Sequence, residues 1–135
     1  MGLVLWLGYS IYFYDEEDGR DYVGDFIDSL ARQDGRVAAE IMNLLFRRLS
    51  NGEGIPVEWT KGSQPKVKTL SNRDIFEYRG RSSKLRKEIR VYFGVHRPSK
   101  TIVFVEASFK TSDAEQKRHI EVAESRFRAY IKRRR

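Results

Sequence analysis

The chain has 135 residues, with 40% hydrophobic and 13% aromatic content, enough for one folded domain over residues 1–135 with a real core. It has no cysteine and two histidines, which excludes disulfides and thiolate zinc sites and argues against any dedicated metal centre. The net charge of +7 is unevenly spread: residues 1–60 hold 5 Lys/Arg against 11 Asp/Glu, residues 61–110 hold 13 against 4, and residues 111–135 hold 8 against 4. Such a split predicts one basic face for a polyanion and an acidic region elsewhere.

The opening "MGLVLWLGYSIYFY" lacks a basic n-region and a small-residue cleavage site, and is too short to span a bilayer. It reads as an irregular extension over Met1–Gly8 leading into a strand at Ser10–Tyr14, in a cytoplasmic protein without a membrane partner. After the charged turn "DEEDGRD", Val23, Phe26, Ile27 and Leu30 follow helical spacing. "RQDGR" breaks that helix, and a second places Ala38, Ile41, Met42, Leu45 and Leu49 on one stripe, so the two form a helical hairpin. Residues 53–66, with Pro56 and Pro65, read as a loop.

Four strand-like runs follow, at 67–70, 75–81, 89–95 and 101–109, joined by "SNRD", "GRSSKLRK" and "HRPSK". A last helix runs from Asp113 to about Tyr130, with Ile120, Ala123, Phe127 and Tyr130 on its apolar stripe and a frayed basic tail at 131–135. The expected fold is α+β: a curved antiparallel β-sheet with the N-terminal helical hairpin and a C-terminal helix, the helices on one face.

Side chains alternate along a strand. Glu77, Arg79 and Arg81 therefore point one way, with Arg90 and Tyr92 able to join them if the two strands pair. On the final strand Val103, Val105, Ala107 and Phe109 read as core, and Glu106, Ser108 and Lys110 as outward. A sheet face with several guanidiniums and a tyrosine suits phosphate binding and base stacking, while a solvated basic face with Glu77 in ion pairs accounts for the same residues.

Three segments resemble a known family. "IFEYRGR" is similar to the "Y-E-L-R" strand and "EIRVYFGV" to the "Y-R-V-x-Y" strand of RelE/HigB-type toxins of bacterial toxin–antitoxin systems. "IVFVEASFKTSDAEQKRHIEVAESRFRAY" resembles their last strand, "F-x-K-K-T" segment and closing helix, and the front end "YSIYFYDEEDGRDYVGDFIDSL" resembles the phage-derived killer-protein branch.

The resemblance implies an mRNA interferase, a ribosome-associated endoribonuclease that causes growth arrest by 2′-hydroxyl attack on the adjacent phosphate, with no cofactor and no metal. It implies mRNA and the ribosome as partners, with a helix-turn-helix antitoxin through which operator DNA is bound. By motif match Arg90 stabilises the developing charge, Arg79 and Lys110 assist, and Glu77 is a candidate base. Arg81, Lys66, Lys68, Lys84, Arg86, Lys87 and Tyr92 form the wider RNA- and phosphate-binding set. Thr111 and Ser112 depart from "K-K-T", and His96 and His119 read as surface residues. Two other readings stay open: a ParE-like toxin that binds a protein such as gyrase, and a phage or plasmid nucleic-acid-binding module.

Overall fold

The computed structural model describes residues 4–70 and 74–134. Most of the "SNRD" turn, residues 1–3 and residue 135 lie outside the described residues. Strand β1 (Val4–Leu5) leads to β2 (Ser10–Phe13), then α1 (Tyr22–Gln33) and α2 (Gly35–Ile41). Helix α2 continues through a π-helical stretch (Met42–Arg47) into α3 (Arg48–Ser50). Next come β3 (Ile55–Pro56), a 3₁₀ turn (Val57–Thr60), β4 (Val67–Thr69), β5 (Ile75–Ser82), β6 (Lys87–His96), β7 (Thr101–Lys110) and α4 (Asp113–Arg133).

The α+β class is as expected, but the sheet is mixed. Its order is β2-β7-β6-β5-β4, with β2 parallel to β7 and the other pairs antiparallel. A parallel pair needs a crossover, and here the helices and the three-strand meander supply it between β2 and β7.

The helices also do not share one face. Val91, Phe93, Ile102 and Phe104 belong to a core that includes Val23, Ile27 and Leu30 of α1 and Ala38 and Ile41 of α2. A second core on the opposite face joins Ile75, Tyr92, Val103 and Val105 to Ala123, Phe127 and Tyr130 of α4. Helix α4 thus covers the face on which the arginines were expected to be open.

A β-bulge in the β6–β7 pairing, between Tyr92 and Phe93, explains why alternation failed on β7. Val103 and Val105 face α4, whereas Ala107 packs with the hairpin side, where Phe109 meets Phe26 at 5.1 Å between ring centroids. Ile102 and Phe104 are fully buried too, in the core on the side away from α4.

One residue, Asp34, separates α1 from α2. Its amide donates to the Leu30 carbonyl, and its carboxylate accepts from the Val37 amide and from the Ser82 hydroxyl at 2.7 Å. In the second helix Ala38, Ile41, Leu45 and Leu49 are buried as expected, but in the π-helical turn Phe46 is buried as well and Met42 is 51% exposed, reversing the expectation for Met42.

Over residues 4–8 the N-terminal segment is not an irregular extension. β1 pairs with β3, and Trp6 is buried edge-on against Phe76 (4.6 Å) and Phe93 (5.6 Å). The Gly8 amide donates to the Gly52 carbonyl, and a side chain at Gly52, whose φ is +72°, would press on the Gly8 backbone.

The basic tail is likewise held rather than frayed as far as Arg134. Helix α4 runs to Arg133, which donates to the Asp15 carbonyl and the Tyr14 hydroxyl, while Arg134 donates to the Tyr130 hydroxyl.

Two predictions follow from these contacts. Gly94 leaves the room that the Phe127 ring occupies, so Gly94→Ala should lower stability in chemical denaturation by about 1–3 kcal/mol. Adding Phe127→Leu should recover part of that loss. The hydrogen bond from Ser82 holds the Asp34 carboxyl below the usual carboxylate range, against the opposing effect of burial and with help from the Val37 amide and Lys84. A depressed folded pKa stabilises above the unfolded value and is lost as pH falls through the folded one. The Tm gap between wild type and Asp34→Asn should therefore be full above about pH 5 and close progressively below about pH 4.

Candidate functional site, a basic cleft at the β5–β6 hairpin

Strand register arranges the polar face as a grid. Lys68, Glu77, Tyr92 and Glu106 form one cross-strand row, Arg79, Arg90 and Ser108 the next, and Arg81, Glu88 and Lys110 a third. Lys66 joins the second row, because its carbonyl accepts the Arg79 amide at 2.8 Å. The hairpin expectation for Arg79, Arg81, Arg90 and Tyr92 is therefore met in register, but in exposure it holds for Arg81 and in part for Arg79, while Arg90 and Tyr92 are buried.

Glu77, Tyr92 and Glu106 of the first row lie under α4. Glu77 is 1% exposed and accepts from Arg79 Nε and Gln116 Nε2, each at 2.8 Å. Tyr92 is fully buried and its hydroxyl sits beside Glu77 and Gln116 without reaching hydrogen-bond geometry with either. Burial first, and then the Glu77 charge, push the Tyr92 phenol well above its ordinary pKa, so it keeps its proton. Neither side chain does what the sequence suggested: Tyr92 cannot stack on a base, and Glu77 is committed to its partners and shut off from solvent.

The second and third rows open into a cleft of about 330 Å³ lined by Gln64, Pro65, Lys66, Arg79, Gly80, Arg81, Glu88 and Arg90. Four cations face one carboxylate there. Arg79 and Arg90 are directly opposite each other, an arrangement that is repulsive without a counterion. Glu77 supplies it, 2.8 Å from Arg79 Nε and 3.8 Å from Arg90 Nε. One carboxylate shared by two guanidiniums leaves positive charge over. Arg90 donates through Nη1 to the Ile89 carbonyl, while its Nε and the Oγ of neighbouring Ser108 find no hydrogen-bond partner among the described residues. The cleft therefore offers forked donors in a partly desolvated setting, which suits a phosphodiester.

The other expected residues disperse. Lys110 lies beside Glu88 at the rim and is 3.8 Å from Asp113. Lys68 is exposed on the edge strand. Lys84 lines a neighbouring hollow by the helical hairpin with Asp34, Arg36 and Glu40, and that hollow shares Arg81 with the cleft. Lys87 sits over the Phe109 ring at 4.7 Å on the opposite face of the sheet. Arg86 occupies the turn in a left-handed conformation, φ 55°. The loop lysines and Arg86 are thus not a continuous rim of the cleft.

The histidines are partly exposed, and each is hydrogen-bonded. His119 Nδ1 is 2.9 Å from Glu106, whose other oxygen meets Arg126, and His96 Nδ1 is 2.6 Å from the Ser99 hydroxyl.

Sequence reasoning missed Glu88, paired with Arg81 at 3.0 Å. Strand alternation could have found it, since it lies two residues before Arg90. It also missed Gln116, which only the docking of α4 brings to Glu77.

No protein-family model, curated protein or solved structure matches this chain. Among the described residues no helix is long and apolar enough to cross a membrane, and no group of His, Asp and Glu could hold a metal ion.

Glu77→Gln removes the charge shared by two guanidiniums while keeping the side chain's shape. It should destabilise the protein by about 3 kcal/mol, measured by urea denaturation, and added phosphate should restore more stability to this variant than to wild type.

Proposed function

We propose that the protein is the toxin of a toxin–antitoxin pair and an endoribonuclease that cleaves translated mRNA. The observation that carries this reading is the cleft in which Lys66, Arg79, Arg81 and Arg90 converge beside a single carboxylate, Glu88. The resemblance of the β5, β6 and β7–α4 segments to RelE/HigB toxins supplies the reaction.

In that reaction a ribose 2′-hydroxyl attacks the adjacent phosphorus and the bond to the 5′-oxygen breaks, leaving a 2′,3′-cyclic phosphate and a 5′-hydroxyl. Glu88, at the cleft wall and reachable from solvent, takes the 2′-hydroxyl proton in place of buried Glu77. Arg79 and Arg90 balance the charge that builds on the phosphorane. The leaving oxygen needs a proton, which a guanidinium does not release but the Lys66 ammonium can. A helix-turn-helix antitoxin would silence the cleft with acidic side chains, and the ribosome would present the message in single-stranded form.

Inducible expression should arrest growth and create new mRNA 5′ ends within coding regions. Arg79→Ala takes a cationic partner from buried Glu77 and so lowers stability, and the folded variant should cut at least a hundredfold more slowly. Glu88→Gln should slow cutting and remove the acidic limb of its pH profile. Full toxicity from a folded Arg79→Ala protein would refute the reading. Arrest with intact transcripts and a DNA-damage response would identify a gyrase-type target instead.

A further inference from the structure

We infer that Trp59 is a nucleobase platform next to the phosphate cleft, so that the protein grips single-stranded RNA by one base and the adjoining phosphate together. This rests on the RNA reading above and adds a subsite to it. Trp59 lies in the 3₁₀ turn after β3, half-buried, with part of its surface packed on the main core.

Two cations lie over its ring: Lys66 Nζ at 5.0 Å from the centroid and Arg48 Cζ at 5.7 Å. Arg48 is anchored by its Nε donating to the Gly54 carbonyl at 2.8 Å. Lys66 has no such anchor among the described contacts, and it is also a wall residue of the cleft. The same lysine therefore touches both the aromatic face and the phosphate site.

An exposed ammonium such as that of Lys66 is held weakly over a ring, by about 0.5–1 kcal/mol. An arriving strand can outbid that contact on both sides. A base stacks on the indole, and the released ammonium turns to the phosphate of the same strand. Stacking of this kind accepts any base, because every base has a π-face, and it requires a single strand, because duplex bases already stack on one another. The aromatic residue expected to stack, Tyr92, is sealed under α4, which leaves Trp59 as the ring beside the cationic wall.

The chain has two tryptophans, and Trp6 is buried in the core, so quenching of indole emission by a bound base reports on Trp59. The full chain is titrated at low salt with a 2′-O-methylated single strand of about eight nucleotides, which cannot be cut, and with an abasic strand carrying the same phosphates. The intact strand should quench saturably and bind more tightly than the abasic one. Trp59→Leu, which keeps apolar packing without a π-face, should lower affinity for the intact strand by roughly five- to a hundredfold and leave the abasic strand unchanged. Trp59→Phe should retain most of the affinity.

Equal affinity for the two strands in the wild-type protein, with unquenched emission, would overturn the platform even if the leucine variant failed to fold. Binding that depends on Arg79 but ignores Trp59 would remove the platform alone. Failure of both strands to bind would remove the RNA reading and the platform with it.

Discussion

Two arginines placed opposite each other on neighbouring strands, with one buried carboxylate between them, are the constraint on which the polar half of this molecule depends. Arg79 and Arg90 face each other because the β5–β6 register puts them there. That register is itself pinned by the buried residues on the reverse side, where Phe76 meets Phe93 and Tyr78 meets Val91. A one-residue slip would carry the apolar set into the cleft and the arginines into the core. Like charges at that spacing are tolerated because Glu77 lies within ion-pair distance of both. Burying Glu77 requires every one of its partners, so Gln116 of α4 becomes part of the same unit.

Helix α4 then divides the face. The buried stripe of its C-terminal half is apolar and docks Phe127 and Tyr130 into the second core, with Gly94 of β6 leaving room for the Phe127 ring. Its first turns touch the sheet mainly through polar links, Gln116 to Glu77 and His119 to Glu106. Tyr92 and Glu106 are sealed beneath it, while the next row emerges from its flank as the cleft. The acidic segment after β2 lies at the other end of α4: Glu16 binds Arg126, and Asp15 lies by Arg133. Part of the acidic N-terminal third thus neutralises the basic helix, and uncompensated positive charge is left at the cleft.

Much of the fold was legible because burial imposes periodicity. The 3.6-residue spacing of Val23, Ile27 and Leu30 marks α1, and strict alternation marks β5 and the first half of β6. The failures have local physical causes. A bulge moved Val103 and Val105 to the other face, and a π-helical turn exchanged Met42 for Phe46. Neither leaves a signature in residue type. Trp6 read as part of an irregular extension because its partners, Phe76 and Phe93, come from distant strands.

The candidate site divides in the same way. The amino-acid sequence by itself determined that Glu77, Arg79 and Arg81 share one side of a strand and that Arg90 and Tyr92 share one side of the next, since a strand's side chains alternate whatever surrounds it. Only the tertiary structure decided which of these meet solvent. Exposure depends on where α4 lies, and α4 is placed by Phe127 against Gly94 and by Gln116 against Glu77, contacts between residues more than thirty positions apart. That docking turned Glu77 from a possible base into a counterion, removed Tyr92 from reach of any ligand, and left Glu88 as the carboxylate beside the four cations.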